Sequence, residues 1–542
     1  MPTSCGTPKP IAASSFSVKD NFSNAQIVRK SVVATRGGVV AAQHRRAAEA
    51  GAAVLEAGGD AIDAAIATSF AIGVVEPWMS GPAAGGCMVI WRASEAKAYA
   101  IDYGMRAPRG LDPAGYPLAG SGTNKDLFAW PLVKDNRNVY GATAVAVPGV
   151  IAGMALAHEC FARLPWGELV EPAVALAGEG LLVDWYSGLL MASVSRTLAR
   201  DPHAAAMFLE EGRWPILGTW TALTEKRIDQ RKLAATLRHI ADEGPGALYG
   251  GDVGREMAKD VRDKGGCLSI DDLAAYRAQL VDALAIPYRG GRVFAAPGVT
   301  GGPTLAHALR LLSETPKPSY VEYARALDAA WRTRFAKMGD AEAPAISGAA
   351  PACTTHFSVV DREGNLCAVT QTLLSMFGSC VVSPSTGVLL NNGIMWFDPE
   401  QGKPNSLGPG KRCLGNYCPV IGEIQDKEDS ARFALGASGG RKILGTVLQL
   451  SSFLMDHGLS LEEAFHRPRI DVSGNDQVIA DLALPAGVIR ELGAAFPTAT
   501  ARRTVFPYPF AVPAGVLRSG GMNMGCTEIM SPWGDAVAER AP

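Results

Sequence analysis

The sequence predicts a layered α+β domain within a chain of 542 residues. Three stretches of different character support this fold class. Ala-rich segments with apolar residues at helical spacing dominate the first part, β-rich segments begin near residue 354, and helical spacing returns after residue 440. Helices, then a run of strands, then further helices are typical of sheets covered by helical layers.

The N-terminal part is predicted to be mainly helical. Residues 1–30 show no regular pattern and are expected to form a loosely ordered leader. Residues 39–75 predict two packed helices separated by Gly58 and Gly59. The remaining elements predicted here are strands at 88–91 and 98–103, and a mainly helical region at 150–345 with Ser269 as a helix N-cap.

The C-terminal part is predicted to supply strands of the core. A helix over 442–457 follows them, and Ser460 begins a capping-box pattern for a second helix. The uncharged stretch 366–397 is broken by polar residues and glycines, so it indicates buried strands and turns rather than a membrane span. The predicted strands lie at 354–361, 366–374, 387–391 and 431–437.

Composition excludes several classes of protein. The chain is 48% apolar and 19% charged, which is typical of a soluble globular protein. A net charge of −2 without a basic run predicts neither a nucleic-acid partner nor a membrane partner. The ten cysteines form no CxxC pair, so no metal and no cofactor are predicted. The N-terminus lacks the apolar core of a secretory signal, and a cytoplasmic protein is expected.

The most informative segment is a predicted hairpin whose first strand begins at Thr354. A five-residue turn at 361–365 would place Val360 opposite Leu366. The same register places Thr354 opposite Thr372, as a cross-strand pair of hydroxyls. A hydroxyl held by a second hydroxyl suits a threonine nucleophile, although threonine is also common in ordinary strands.

A series of short motifs accompanies this hairpin in a fixed order along the chain. They are AVAVPG at 144–149, the pattern W..L..PA..LA.EG at 166–180, LYGG at 248–251, DLAAY at 272–276, TTHFSVVD at 354–361, REGN at 362–365, AVTQT at 368–372, FGS at 377–379, GVLLNN at 387–392 and ASGGR at 437–441. Together they resemble the γ-glutamyltransferase family of N-terminal-nucleophile hydrolases.

The resemblance implies a fold and a cleavage. The fold is a four-layer αββα sandwich, and the cut lies between Cys353 and Thr354. It would follow attack of the Thr354 hydroxyl on the Cys353 carbonyl. The products would be a large subunit of residues 31–353 and a small subunit of residues 354–542, which stay associated as one αββα unit. A homodimer of processed units is left open.

The resemblance also implies roles for residues around the cut. The α-amine freed on Thr354 would act as the base, because such amines titrate at about 7.7–8.0. Thr372 would hold the nucleophilic hydroxyl. The N–H groups of Gly439 and Gly440 precede a predicted helix and would stabilise the oxyanion. A tight strand–helix turn is the alternative explanation for these two glycines.

Two competing assignments arise from the same region. Residues 436–440 fit G-x-S-x-G, the nucleophile elbow of α/β-hydrolases, with Ser438 as nucleophile. The histidines that would complete such a site, His457 and His466, follow only shortly afterwards. His356 shares a strand face with Thr354 and is interpreted as a structural histidine rather than as a base.

Departures from the family concentrate in the predicted substrate pocket. Gly104 occupies the place of the family's arginine, and Trp396 replaces an acid. The family's arginine grips the carboxylate of the glutamyl group, and its acid holds the ammonium, so their loss removes two strong polar anchors. On a strand, Arg106 would share a face with Gly104 and partly substitute for the arginine. The residues predicted to bind the substrate are Arg106, Leu374, Gly393, Trp396, Asn416 and Tyr417.

The sequence therefore predicts a self-processing amidohydrolase that cleaves a small-molecule amide through a Thr354 acyl-enzyme. The donor is expected not to be a standard γ-glutamyl group, as in oxamate amidohydrolases or enzymes that act on other amides. The alternatives left open are a γ-glutamyltransferase or glutathione hydrolase, and an unprocessed, non-catalytic relative.

Overall fold

The structure is a computed structural model, and it describes residues 29–123, 130–217, 225–340, 353–425, 430–473 and 477–540. The predicted leader lies outside these ranges except for its last two residues. The Lys30 ammonium donates to the Ser531 carbonyl at 2.7 Å, so the chain contacts the body of the protein from this point. Residues 341–352, which precede the predicted cut, also lie outside the described ranges.

Two seven-stranded sheets, each antiparallel throughout, form the centre of the fold. With strands numbered along the chain, the first sheet contains, in spatial order, β11 (Gln279–Asp282), β4 (Lys97–Tyr103), β3 (Gly85–Arg92), β15 (Leu366–Leu374), β14 (Cys353–Val360), β2 (Val39–Ala42) and β23 (Asp535–Ala538). The second sheet contains β1 (Val33–Thr35), β22 (Met522–Thr527), β21 (Val512–Ser519), β17 (Ser430–Ser438), β16 (Val420–Gln425), β13 (Gly291–Ala295) and β12 (Leu284–Tyr288).

Short strands outside the two sheets form small ribbons at the periphery. They are β5 (Leu118–Thr123), β6 (Pro131–Val133), β7 (Leu181–Leu182), β8 (Leu209–Glu210), β9 (Trp214–Pro215), β10 (Arg227–Ile228), β18 (Ile470–Asp471), β19 (Val478–Asp481) and β20 (Thr498–Ala501).

Helices cover the outer faces of both sheets. In chain order they are α1 (Arg45–Glu56), α2 (Ala61–Val75), α3 (Val150–Phe161), α4 (Trp166–Glu179), α5 (Trp185–Leu198), α6 (Pro202–Phe208), α7 (Arg231–Glu243), α8 (Asp252–Asp263), α9 (Ile270–Ala275), α10 (Gly302–Leu312), α11 (Tyr320–Lys337), α12 (Lys442–Met455), α13 (Leu461–His466) and α14 (Ala486–Ala495). Helices α1 and α2 pack on the first sheet, and α10, α12 and α13 pack on the second. The predicted αββα sandwich is thereby confirmed.

Three buried apolar clusters separate the four layers. Phe357 and Val359 of β14 face α2, whereas Phe433 and Leu435 of β17 face α12. A third cluster lies between the sheets and includes Val360. Every residue of β15 is buried because both faces of its sheet are covered, which explains the uncharged stretch in this part of the sequence.

Several predicted elements are confirmed. The hairpin strands lie where they were expected, with Val360 opposite Leu366. Ser269 and Ser460 both cap helices through reciprocal capping boxes. The helix predicted at 442–457 ends slightly earlier, at Met455. Of the described helices, none combines the length and apolar character needed to cross a membrane.

Other predictions are wrong for identifiable reasons. Val39–Ala42 is a strand rather than the beginning of a helix, because it pairs with Phe357–Val360 at the edge of the hairpin. Residues 387–391 form no strand, and Leu389 makes only an isolated bridge to Val382. The region 150–345 is mainly helical, as predicted, but β11, β12 and β13 also lie within it and extend the two sheets. Long-range pairing forms these strands and the strand at Val39–Ala42, and local pattern does not reveal it.

Candidate active site

The hairpin of β14 and β15 ends in an irregularity at Thr354. The ladder keeps its predicted register as far as Thr355, which faces Gln371. It then shifts, so that Cys353 faces Leu374. Thr354 and Thr372 lie in the shifted part, and the predicted regular pairing of the two is replaced by a bulge. A bulge changes the direction in which side chains point, and such bulges are frequent next to active sites.

Thr354 and its surroundings are closed off from solvent. Its relative exposure is 3%, and Thr372 is fully buried. The Thr372 hydroxyl accepts a hydrogen bond from the Leu374 N–H at 2.8 Å. Leu374 has a φ of 92°, which is rare for a branched side chain and indicates a backbone held by its surroundings.

Two contacts fix how β14 crosses β17 of the facing sheet. The His356 ring occupies the space that a β-carbon on Gly436 would need. At the opposite end of β14, the Arg518 guanidinium donates to the Asp361 carbonyl at 3.4 Å. Arg518 belongs to β21 and pairs there with Arg432, near the beginning of β17. The Asp361 end of β14 therefore lies near the beginning of β17, so β14 and β17 run in opposite directions. The Thr354 end of β14 therefore meets the end of β17 that leads into Gly439 and Gly440.

Gly439 and Gly440 form the tight turn between β17 and α12. Their φ angles are 130° and 59°, a region that favours glycine. Their carbonyls accept hydrogen bonds from Lys442 and Ile443, both at 3.2 Å. Space is a second constraint, since a β-carbon on Gly439 would lie 3.0 Å from the Ala511 Cα. The turn presents backbone N–H groups at the positive end of a 14-residue helix, where developing negative charge is stabilised.

His356 is a structural residue, as the sequence indicates. Its Nδ1 shares a hydrogen bond of 2.8 Å with the Thr370 hydroxyl, and its Nε2 one of 2.9 Å with the Ser358 hydroxyl. The ring is fully buried, and this burial lowers the pKa of His356 to about 3. An imidazole that stays neutral and has both nitrogens engaged is poorly suited to accept a proton from Thr354.

Glu76 is a buried acid near this site that the sequence analysis did not identify. The Thr355 hydroxyl donates to its carboxyl at 3.2 Å. Burial raises the pKa of Glu76 to about 8. The available indication was an acidic residue directly after the apolar, fully buried helix α2.

Tyr417 takes over the space beside Gly104. A β-carbon on Gly104 would lie 2.8 Å from the Tyr417 hydroxyl. The Tyr417 ring also packs against Trp396 in an edge-on arrangement, with 5.3 Å between ring centroids. Both side chains belong to the apolar cluster between the sheets, together with Leu374, which faces Cys353. An aromatic wall therefore stands where the family's arginine is expected.

Three polar atoms of this wall have no hydrogen-bond partner among the described residues. They are the Tyr417 hydroxyl, the Trp396 indole nitrogen and the Asn416 amide nitrogen. The Asn416 carbonyl oxygen is engaged, because it accepts from the Arg334 guanidinium at 3.3 Å. Burial of a hydrogen-bond donor without an acceptor is costly, so a group that brought an acceptor to these atoms would be favoured.

Gly393 lies against the same wall. A β-carbon there would lie 2.7 Å from the Ala146 β-carbon and 3.0 Å from the Met105 sulfur. Met105 also fills the space above Gly85, which pairs with Thr372. The neighbouring Asn391 is structural, since its carbonyl oxygen accepts from the N–H groups of Ala146 and Gly393, each at 2.9 Å.

Arg106 is not brought together with the other predicted pocket residues. The strand-face argument for it is wrong, because β4 ends at Tyr103 and Arg106 forms only isolated bridges. It lines a separate cavity of about 210 Å³ with Arg109 and Tyr276, and none of the other five predicted pocket residues lines that cavity. The charge nearest Gly104 is Asp102, which accepts from the Gly104 N–H and pairs with Arg412.

The fold excludes the nucleophile-elbow assignment of Ser438. Both neighbours of β17 run antiparallel to it. An α/β-hydrolase presents its elbow from a predominantly parallel sheet, which this architecture lacks in the described residues.

Comparisons with known proteins agree with this fold and site. The family described as gamma-glutamyltranspeptidase matches residues 47–353 and 341–500. An acylase ACY 1 proenzyme from Pseudomonas sp. (strain SE83) is 35% identical over 494 residues, covering 84% of this chain and 86% of the relative. Glutathione hydrolase 3 from Arabidopsis thaliana is 30% identical over 495 residues, covering 81% and 73% respectively.

A solved structure shares the whole architecture. Cephalosporin acylase from Bacillus halodurans superposes with a TM-score of 0.82 at 24% identity, covering 97% of this chain and 100% of that one. The extent of the family match, the identity to these two relatives and the αββα sandwich lead to one conclusion. The chain belongs to the gamma-glutamyltranspeptidase family of N-terminal-nucleophile hydrolases.

Proposed function

We propose that this protein is a self-processing amidohydrolase in which Thr354 first cleaves the chain and then acts on an amide substrate. The observation that carries the proposal is the position of Thr354. It lies directly after Cys353 in a bulge, at the end of the sandwich where the Gly439–Gly440 turn of the facing sheet begins. The name of the acylase relative includes the word proenzyme, which supports a processing step.

The first step is cleavage of the Cys353–Thr354 bond. The Thr354 Oγ attacks the Cys353 carbonyl carbon, the hydroxyl proton passes to the peptide nitrogen, and the C–N bond breaks, which leaves an ester between the two residues and a free amine on Thr354. Water then hydrolyses this ester to a carboxylate on Cys353 and the regenerated hydroxyl of Thr354. The two fragments would stay together, because β14 of the small fragment pairs with β2 and β15 packs against β3, both from the large fragment.

The second step uses the new amine. An α-amine that titrates near neutrality takes the proton from the Thr354 hydroxyl as its oxygen attacks the substrate carbonyl. N–H groups of the Gly439–Gly440 turn stabilise the tetrahedral oxyanion, and Thr372 holds the nucleophile in place. The proton passes to the leaving amine, and water releases the acyl group as a carboxylic acid.

The pocket supports a donor other than a γ-glutamyl group. Trp396, Tyr417 and Leu374 supply apolar surface, and free indole and hydroxyl donors remain beside them. The carboxylate that lies there, that of Asp102, accepts from the Gly104 N–H and pairs with Arg412, so it is already engaged and less suited to bind a glutamyl ammonium. We therefore propose an acyl group that is largely apolar and carries an uncharged acceptor. The likeness to an acylase proenzyme at 35% identity is consistent with this choice.

Two experiments test the proposal. The first compares wild-type protein with Thr354→Ala and Thr354→Ser on denaturing gels over time. Only the alanine variant should remain a single chain, since serine keeps a hydroxyl. The second offers the mature protein a γ-glutamyl anilide and a series of apolar acyl anilides. Preference for the γ-glutamyl anilide would overturn the donor assignment and favour a γ-glutamyltransferase or glutathione hydrolase.

A further inference from the structure

Glu76 lies where α2 ends, on the helix-covered side of the first sheet. Its exposure is 4%. Its backbone carbonyl accepts from the N–H groups of Met79 and Ser80 at 2.9 and 3.3 Å, and its own N–H donates to the Ile72 carbonyl at 2.8 Å. The backbone of this acid is therefore fixed on both sides, which restricts the reach of its side chain.

The side chain of Glu76 holds the residue that follows the nucleophile. Thr355 is fully buried, and its hydroxyl donates to the Glu76 Oε2 at 3.2 Å. Thr355 is also the last residue of β14 in regular register before the bulge at Thr354. Displacement of Thr355 would therefore shift the bulge and the scissile peptide together.

The strand opposite is anchored to the same helix layer. Gln371, the partner of Thr355, accepts from the Ser69 hydroxyl and donates to the Ser80 hydroxyl, both at 2.8 Å. Both residues of the last regular ladder pair before the bulge, Thr355 and Gln371, are thus held by buried polar contacts. Of these contacts, only the one through Glu76 involves a titratable group.

The surroundings keep this acid uncharged. Burial raises the pKa of Glu76 to about 8, while the hydrogen bond from Thr355 opposes the rise. From the other packed segments in the described residues, the phenol of Tyr508 interacts with the carboxyl, and Glu76 contributes to a rise in the pKa of Tyr508. No cation among the described residues acts on this carboxyl. The raised pKa of Glu76 therefore favours a neutral carboxyl beside the Thr355 hydroxyl at neutral pH.

We propose that Glu76 is a positioning residue for the Thr354 nucleophile and acts through the Thr355 hydroxyl. It neither touches the substrate nor exchanges a proton with it. Its role is to hold the bulge in the geometry that brings the Thr354 oxygen to the Cys353 carbonyl. The inference rests on the function proposed above.

The test measures the rate at which the single chain becomes two chains. We expect Glu76→Ala and Thr355→Val each to slow conversion about tenfold or more, as loss of a positioning contact does. Glu76→Gln and Thr355→Ser keep a neutral hydrogen-bonding group and should stay within about threefold of wild type at pH 7. Thr68→Val is the matched control, because it removes a buried hydroxyl of α2 that bonds only within its helix, and it should change the rate by less than about twofold.

The pH profile separates positioning from a merely structural role. The rate at which the wild-type chain becomes two chains should fall as the pH rises, with an inflection near pH 8 where Glu76 ionises. Glu76→Gln cannot ionise and should lack that inflection. If Glu76→Ala fails to fold, Thr355→Val and this profile still decide the matter.

Two outcomes overturn the inference alone. One is wild-type conversion rates in both Glu76→Ala and Thr355→Val. The other is an inflection near pH 8 that persists in Glu76→Gln. Failure of the proposed function gives a different result, because the wild-type chain would then stay whole or Thr354→Ala would still be cleaved.

Discussion

The Tyr417 hydroxyl lies 2.8 Å from the point that a β-carbon on Gly104 would occupy. The two residues are far apart in sequence, yet the identity of each restricts the identity of the other. A glycine without a side chain admits the phenol, and the phenol excludes any larger residue at 104. The two positions are therefore coupled, because the Tyr417 phenol occupies the space that a side chain at 104 would need.

This coupling predicts a non-additive pair of substitutions. Gly104→Arg alone should destabilise the protein by about 1–3 kcal/mol or more, because the new side chain meets a fully packed ring. Gly104→Arg combined with Tyr417→Ser should recover much of that loss and gain activity on a γ-glutamyl anilide. Urea unfolding and initial rates on the four proteins of the cycle measure both effects. Simple additivity of the two changes would contradict the coupling.

The unpaired Tyr417 hydroxyl gives a second prediction. Tyr417→Phe removes a buried polar group that lacks a partner among the described residues, so stability should stay equal or rise by up to about 1 kcal/mol. If the hydroxyl donates to the acyl group, kcat/KM for the best amide should fall about tenfold. Thermal unfolding and steady-state kinetics check the two halves. Unchanged kcat/KM would show that the Tyr417 hydroxyl does not contact the substrate.

The contact between His356 and Gly436 predicts that a side chain added between the two sheets at residue 436 destabilises the protein. Gly436→Ala places a methyl group into the His356 ring and should destabilise the protein by about 1–3 kcal/mol. Gly178→Ala is the control, because a β-carbon at this position in α4 would meet no atom within 4 Å, and alanine favours the helix. Denaturant midpoints compare the two variants. Equal stability of both would contradict the close approach of the sheets.

Glu76 predicts a loss of stability as the pH rises. Its pKa is about 8 in the folded protein against an ordinary value of 4.5, so the folded state keeps a proton that the unfolded chain releases. The stabilisation is complete below about pH 4.5 and is lost as the pH rises to about 8, with a slope of up to about 1.4 kcal/mol per pH unit. His356 acts oppositely, since its pKa of about 3 makes stability rise with pH up to about 6.5.

Between pH 6.5 and 8, Glu76 therefore changes the stability of the protein whereas His356 does not. Wild-type free energy of unfolding should fall across this range, and Glu76→Gln should remove most of the fall. Urea titrations of both proteins at several pH values provide the comparison. A parallel decline in the two proteins would show that Glu76 is not the group responsible.

The hairpin could be predicted from the sequence because its strands and turn depend on local information. A five-residue turn sets the register from Val360 and Leu366 as far as Thr355 and Gln371. The bulge at Thr354 was not predictable, since a strand pattern does not show where a ladder shifts. Glu76 was not identified from the sequence because its proposed role depends on a hydrogen bond with Thr355, almost 280 residues away. Tyr417 was placed in the pocket, but its contact with Gly104 arises only from tertiary packing.

The central claim is that the chain cuts itself immediately before Thr354, and intact-mass measurement with N-terminal sequencing of the purified protein tests it most directly. We expect two chains, the shorter spanning residues 354–542 and beginning Thr-Thr-His-Phe, and a single uncut chain for Thr354→Ala. A wild-type protein that remains one chain after prolonged incubation in its folded state, or a shorter chain that begins at another residue, would contradict the account.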